Sequence, residues 1–286
     1  MNVDLSIVIP VFNEAGVLSE LVARCREASQ KTNCRYEIIV VDDCSTDDTP
    51  SLLQELSQEP DFQYYRNAEN LGQLRSTKAG LAYARGETVV VLDGDLQDPP
   101  ELIPELVNTL QAATSGLQAV FAVKESRQDL PWFVVGQTLF HLMQSRFGRV
   151  SIPYGAGSYC VMRRSVASRI VRSRVRQGNI AALVAVLGSC TGVVRYRKEA
   201  RYDGRSRVGF RRLVWEAVAS LAVIGALSRI LWLMSAVSVF AGATWALLAD
   251  SNRIPVLFTA IVGAAVLGIG GQVISFLVDR SIRPHR

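Results

Sequence analysis

Histidine is nearly absent from this chain: His141 and His285 are the only two. So small a supply argues against a His-rich metal centre and leaves little room for a Ser-His-Asp triad. Cysteine is scattered and odd in number (Cys25, Cys34, Cys44, Cys160 and Cys190), with no CxxC pair. These read as free thiols, not as a disulfide framework. No G-x-G-x-x-G follows the first strand-like run and no P-loop occurs, so the dinucleotide fingerprint and the NTPase phosphate cradle are both missing. No cleavable signal peptide is expected, because "MNVDLSIVIP" turns into a strand before any long apolar region appears. Basic residues exceed acidic ones, 31 against 26, and the pI is about 9.1. No recognisable nucleic-acid motif accompanies that charge, so the expected partners include an anionic lipid surface and no nucleic acid.

Charge itself is missing from two long runs. Residues 230–249, "ILWLMSAVSVFAGATWALLA", and 254–278, "IPVLFTAIVGAAVLGIGGQVISFLV", carry none. A membrane-spanning helix needs about 20 mostly apolar residues, so both runs qualify, and "DSNR" between them permits only a tight turn. The expectation is a transmembrane hairpin. Arg205, Arg207, Arg211, Arg212 and Arg229 precede it and Arg280, Arg283 and Arg286 follow, with Arg253 alone in the turn. The positive-inside rule then places both termini in the cytoplasm. Small residues Gly263, Ala264, Gly268 and Gly271 suit close helix packing, within the hairpin or between copies in a homo-oligomer. The stretch before the spans has Phe210, Leu213, Val214, Ala217 and Leu221 at helical spacing beside an arginine-rich flank, the pattern of an interfacial amphipathic helix.

What is abundant in the first part is alternation. "LSIVIPVF", "YEIIVVDD", "FQYYRN", "ETVVVLD" and "LQAVFAV" read as strands. Amphipathic stretches separate them: one after Asn13, placed to cap it, one opened by "STDDTP", one from 71 to 84 and one from 99 to 113. Such alternation implies an α/β fold with a parallel-rich sheet wrapped by helices. Beyond residue 125 the pattern loosens, with a helix expected over 132–146, a glycine-rich loop entering a strand in "SIPYGAGSYCVMRR", and a strand in "CTGVVRY".

Acidic residues collect where strands end. Asp42 and Asp43 close the second strand, and Asp93, Asp95 and Asp98 follow the fourth in "VVVLDGDLQDPP". In open α/β sheets ligands bind beyond the carboxyl ends of the strands, so Asp42, Asp43, Asp93 and Asp95 need not be buried, because they line a crevice there. Asp-x-Asp at a strand end is a hard-oxygen site for a divalent cation, which would relieve the repulsion and stabilise a departing diphosphate.

"PVFNE", "VVDDCSTDDT", "NLGQLRSTKAGLAYARGETVVVLDGDLQDPPE" and "RYDGRSRVGF" occur in the order and spacing of the inverting family 2 glycosyltransferases of the GT-A fold. The chain resembles, more narrowly, the polyprenyl-phosphate glycosyltransferases, among them the dolichol-phosphate mannose synthases and bacterial undecaprenyl-phosphate sugar transferases. The resemblance implies a GT-A (Rossmann-like), mixed, mostly parallel sheet over 1–208, the amphipathic helix over 209–228, and the two spans within 229–286. It implies a multi-pass enzyme of the inner membrane that moves sugar from a nucleotide sugar, UDP-linked before GDP-linked, to a polyprenyl phosphate, with Mg2+ or Mn2+ as cofactor. Pro10, Val11, Asn13, Glu14 and Asp43 would line the nucleotide pocket, and Gly72 and Lys78 would lie near it. Asp93, Asp95 and Gln97 would hold metal and diphosphate. Arg127 would meet the acceptor phosphate, and Arg201, Gly204, Ser206 and Arg207 match the loop that closes over the donor.

Two positions depart from the family pattern. Arg207 stands where a lysine is usual, keeping the charge but offering a planar fork. Gly157, Ser158 and Cys160 stand where many relatives carry an acidic residue or an arginine. A phosphate monoester, with a second pKa of about 6, needs no base to attack the anomeric carbon; Asp98 is the remaining carboxylate available as one. A processive synthase of the same fold and a non-catalytic membrane adaptor are the competing readings. The first lacks its usual Q-x-x-R-W, and the second does not explain an intact Asp93/Asp95 pair.

Overall fold

A computed structural model describes residues 3–113, 116–124, 138, 142–148, 150, 152–188, 190–196, 218–248, 263, 265–275 and 277. Strand β1 (Leu5–Val11) leads through α1 (Ala15–Gln30) to β2 (Tyr36–Asp42), and through α2 (Thr49–Leu56) to β3 (Phe62–Arg66). Then come α3 (Gln73–Tyr83), β4 (Thr88–Val91) and a 3-10 turn, Pro100–Leu102, running into α4 (Ile103–Ala112). The second half supplies β5 (Ala119–Lys124), β6 (Ala156–Arg163), α5 (Arg164–Arg172), α6 (Ile180–Gly188), β7 (Thr191–Tyr196) and α7 (Ala226–Leu248).

The strands form one sheet in the order β3-β2-β1-β4-β6-β5-β7. β6 runs antiparallel to both neighbours, β4 and β5, and the other pairs are parallel. The sheet is therefore mixed and mostly parallel, as alternation of strand and helix implies. Both faces are covered, which is why β1, β2 and β4 read as continuous apolar runs. Leu5, Ile7, Ile9 and Val11 of β1 pack with Leu18, Leu21 and Val22 of α1 on one face. Val8 points to the other, toward Leu74 and Leu81 of α3. Full burial of each such side chain stabilises by about 1.5–3 kcal/mol.

This topology makes the crevice. The chain leaves β1 toward β2 and β3, then returns to lay β4 on β1's opposite side, so strand order reverses between β1 and β4. Pairing of β1 with β4 ends at Val8↔Val91. Pro10, which has no N–H to donate, lies just past that point, where the ladder has already opened. Helices α5 and α6 were not expected from the sequence. The α6 run "IAALVAVLG" is buried along nearly its whole length and shows no amphipathic period to read.

The expected transmembrane hairpin is corrected. Among the described residues no helix is long and apolar enough to cross a membrane. Helix α7 has 23 residues, and Arg229 and the buried Ser228 and Ser235 lie within it. The two runs do pack together: a Cβ on Gly271 would lie 3.0 Å from the Ser228 carbonyl oxygen and 3.1 Å from Trp232 Cδ1. The multi-pass inner-membrane placement rested on that hairpin and falls with it. The described part of the expected interfacial helix, from 218, packs on the domain instead. Leu221, Val223 and Ile224 are buried with α6, and the Asn179 N–H donates to Ser220 Oγ at 3.1 Å.

Candidate active site

Four segments meet at the carboxyl end of β1 and β4. The first is the turn after β1. Asn13 takes a positive φ of 57°, a conformation asparagine tolerates better than most residues. It does not cap α1 through its side chain; the N-cap is Glu14. Asn13 Oδ1 instead accepts the Thr46 N–H at 2.7 Å, and the Asn13 N–H donates to Ser45 Oγ at 2.8 Å. The Glu14 N–H donates to Thr49 Oγ1 at 3.0 Å. The "PVFNE" turn is thus stitched to the "DDCSTDDT" loop.

Asp42 and Asp43 close β2 with different tasks. Buried Asp42 accepts the Ser45 N–H at 2.9 Å, capping the turn, and forms an ion pair at 3.4 Å with Arg66 Nε. Asp43, 4% exposed, is a clamp. Its Oδ1 accepts the Leu71 N–H at 2.8 Å and Asn67 Nδ2 at 2.9 Å, and its Oδ2 accepts the Gly72 N–H at 2.8 Å. Its own N–H donates to the Val11 carbonyl at 2.8 Å. Gly72 has φ 85° and ψ 158°, a backbone state open essentially to glycine, and from it α3 begins. One residue therefore ties the ends of β1 and β2 to the start of α3, through its N–H on one side and its carboxylate on the other.

The third segment is the turn after β4. Gly94 lies against β1 so closely that a Cβ would sit 2.8 Å from Val11 Cγ1 and 3.1 Å from the Pro10 carbonyl. Leu96 is held at φ 54°, a strained value for a leucine. Asp93 Oδ1 accepts Gln73 Nε2 and its Oδ2 accepts Ser158 Oγ, each at 2.6 Å. Asp95 Oδ1 accepts the Gln97 N–H at 3.2 Å. The Gln97 Nε2 is buried without a hydrogen-bond partner among the described residues. Asp98 is buried and accepts the Tyr196 hydroxyl; burial and that neighbouring carboxylate push the Tyr196 phenol well up from its ordinary value. Tyr159 donates to the Pro99 carbonyl at 3.0 Å and meets Tyr196 edge-on, so the turn is braced from β6 and β7.

A cleft of about 260 Å³ opens beside Asp93. The start of α3 (Gly72, Gln73, Thr77), Ser158 of β6, and Arg176 and Asn179 ahead of α6 line it. Lys78 faces away from this space. Its Nζ donates to the Ser173 carbonyl at 2.6 Å and the Val175 carbonyl at 3.0 Å, fastening α3 to the segment that carries Arg176. Burial and the nearby Arg176 charge lower its pKa.

The structure thus brings Pro10, Val11, Asn13, Glu14, Asp43, Gly72, Asp93, Asp95 and Gln97 to one edge, with Lys78 behind them. Arg127, Arg201, Gly204, Ser206 and Arg207 lie outside the described residues. Gln73, Ser158 and Arg176 were not anticipated for the site. Gln73 stood inside the quoted "NLGQ" motif and Ser158 at a noted departure, but contacts across sequence separations of 20 and 65 residues leave no local pattern.

Two carboxylates at a strand edge fit Mg2+ or Mn2+, which complete their shells with phosphate oxygens and water. Among the described residues no group of three or more His, Cys, Asp or Glu forms an all-protein cage, so a substrate would supply the remaining ligands.

Comparison with known proteins agrees with this architecture. The family model described as glycosyl transferase family 2 matches residues 6–171. The uncharacterized glycosyltransferase YkcC of Bacillus subtilis is 30% identical over 215 residues, covering 74% of this chain and 66% of its own. An uncharacterized glycosyltransferase of Synechocystis sp. is 33% identical over 215 residues, 74% of this chain and 67% of its own. The undecaprenyl-phosphate 4-deoxy-4-formamido-L-arabinose transferase of Pseudomonas syringae pv. syringae is 33% identical over 216 residues, 73% of this chain and 62% of its own. The chain thus spans roughly two thirds of the length of these relatives. Among solved structures, the mannosyltransferase PcManGT of Pyrobaculum calidifontis with GDP-Man and Mn2+ has a TM-score of 0.54 at 19% identity, covering 94% of this chain and 88% of that one. Glucosyl-3-phosphoglycerate synthase of Mycobacterium tuberculosis, with Mn2+, UDP-Glc and phosphoglyceric acid, has 0.54 at 19%, covering 77% and 79%. At such identities the likeness is one of fold.

Proposed function

The chain belongs to glycosyl transferase family 2, and on that premise we propose that it transfers a sugar from a nucleotide sugar to a polyprenyl phosphate with inversion. The observation that carries the reading is the Asp93–Asp95 turn, seated beyond β4 where strand order reverses, with Asp93 hydrogen-bonded to Gln73 and Ser158 of the cleft beside α3. The acceptor class is supported by the relatives of known acceptor, which are named undecaprenyl-phosphate transferases. UDP is the favoured carrier, as the resemblance implies.

Asp93 and Asp95 would hold Mg2+ or Mn2+, which when bound supplies positive charge against the departing diphosphate. The Gln97 side-chain Nε2, without a hydrogen-bond partner among the described residues, would donate to a diphosphate oxygen. The turn carrying Pro10, Val11, Asn13 and Glu14 would seat the nucleotide, with Asp43 holding the Leu71–Gly72 backbone beside it. The acceptor phosphate oxygen attacks the anomeric carbon as the bond from that carbon to the diphosphate breaks, and the nucleoside diphosphate leaves. Arg176 lines the cleft, and its guanidinium suits the phosphate dianion. Arg127, Arg201, Ser206 and Arg207 are proposed to complete the acceptor and donor contacts. No base is needed, since the phosphate is largely dianionic near neutrality. Asp98 is not placed to serve as one, being buried against Tyr196.

The test is a transfer assay in detergent with undecaprenyl phosphate and a panel of UDP- and GDP-sugars, with and without Mg2+ or Mn2+, read by mass spectrometry of the lipid. A metal-dependent lipid-linked sugar from one donor is expected, and Asp95→Asn should abolish it. Product that forms equally well without metal, or that survives Asp95→Asn, refutes the reading.

A further inference from the structure

Asp93 is gripped from two elements far apart in the chain. Gln73 is the first residue of α3, and its Nε2 donates to Oδ1 at 2.6 Å; Ser158 belongs to β6, and its hydroxyl donates to Oδ2 at 2.6 Å. Both residues line the cleft. We infer that Gln73 and Ser158 are positioning residues that set the plane of the Asp93 carboxylate for the cation, an inference that rests on the metal-dependent reading above.

The geometry of the grip is what argues for it. One donor on each oxygen fixes the terminal torsion of Asp93, which is otherwise broad. An ionised carboxylate oxygen offers more than one lone-pair direction, so an oxygen that accepts a hydrogen bond can still face a cation. Donors to a ligating carboxylate orient it, and their loss typically costs 10–100-fold in metal affinity or activity. The two donors also differ in setting. Ser158 is 9% exposed and held in a strand paired to β4, whereas the Gln73 side chain stands in the open at a helix start. Ser158 is thus the rigid member. Cys160, two residues further along β6, is fully buried in the apolar core. The β6 segment, where an acid or an arginine is usual, here contributes a hydroxyl aimed at the acid of β4.

The experiment measures Mn2+ binding by electron paramagnetic resonance of the free ion, in the presence of UDP, on the whole chain. Ser158→Ala and Gln73→Leu should each weaken Mn2+ binding about 10-fold or more, while Ser158→Thr, which keeps the hydroxyl, should stay within about 3-fold of the parent. Thermal unfolding midpoints close to the parent's separate this effect from loss of fold. Should Ser158→Ala not fold, Gln73→Leu at an exposed position carries the same comparison. Parental Mn2+ affinity in folded Ser158→Ala or Gln73→Leu overturns the inference and leaves the transferase reading intact. Parental protein that binds Mn2+ with UDP, loses it in the variants, yet makes no lipid-linked sugar keeps the inference and sinks the reading. Parental protein that binds no Mn2+ with UDP sinks both.

Discussion

Replacing Asp43 separates a structural clamp from a nucleotide contact. The sequence motif places this residue at the nucleotide, yet its carboxylate already accepts the Leu71 and Gly72 N–H groups and Asn67 Nδ2, all at 2.8–2.9 Å. Hydrogen bonds to a charged group contribute about 1.5–3 kcal/mol each when buried. Leu71, Gly72 and Asn67 are only half-buried, so water replaces part of what is lost. Asp43→Ala, which removes all three bonds, should then lower stability by about 3 kcal/mol. Asp43→Asn keeps the shape, but its amide can accept through one oxygen only and should cost about 2 kcal/mol. Urea unfolding followed by tryptophan fluorescence reads both; with a slope of about 2 kcal/mol per molar the midpoint falls by about 1–1.5 M. UDP binding should weaken as a consequence, through a loosened start of α3. If Asp43→Asn shifts stability by less than about 0.5 kcal/mol while UDP affinity collapses, the carboxylate is a nucleotide contact and the clamp argument is wrong.

Glu37, 2% exposed at the opposite end of the sheet, accepts Ser6 Oγ at 2.6 Å, the Arg85 N–H at 2.8 Å and Arg85 Nη2 at 2.6 Å. Glu37→Ala should destabilise by about 3 kcal/mol in urea titration while leaving UDP and Mn2+ affinities unchanged; an altered affinity would contradict the separation of core from site. Gly94→Ala should push the Asp93–Asp95 turn off Val11 and Pro10, costing about 1–3 kcal/mol in stability and at least about 10-fold in transfer rate. A parental rate would show that the turn tolerates the shift. Burial alone would raise the Asp47 pKa, but hydrogen bonds from the Thr49 hydroxyl and from the Thr49 and Ala15 N–H groups bring it below the ordinary 3.8. A carboxylate held lower in the folded state contributes its stability above 3.8 and loses it as the pH falls through the folded value. The stability gap between parent and Asp47→Asn should be full at about pH 6 and shrink below pH 3.8; a constant gap down to about pH 2.5 would refute it.

The alternation of apolar runs with amphipathic stretches was enough to place β1 to β5 and α1 to α4, because period and turn chemistry are local properties. The acids at strand ends were legible as a cluster at one edge of the sheet, since strand direction follows from that alternation, but Asp42, Asp43 and Asp98 are buried there and only Asp93 and Asp95 are part-exposed. Helix α6 escaped for a physical reason: a segment buried on all sides has no polar face to betray its period. The two charge-free runs misled in the opposite direction. Length and absence of charge point to spans, yet among the described residues no helix is long and apolar enough to cross a membrane.

By itself, then, the sequence determined the fold class, the family motifs and the edge at which the chemistry must lie. Only the tertiary structure decided which neighbours those motif residues have. Asn13 braces a loop instead of a helix, Lys78 fastens the Arg176 segment, and Ser158 and Gln73 hold Asp93 from opposite elements. The reason is physical: a hydrogen bond between side chains 20 or 65 residues apart depends on strand order and helix docking, which no local residue pattern encodes.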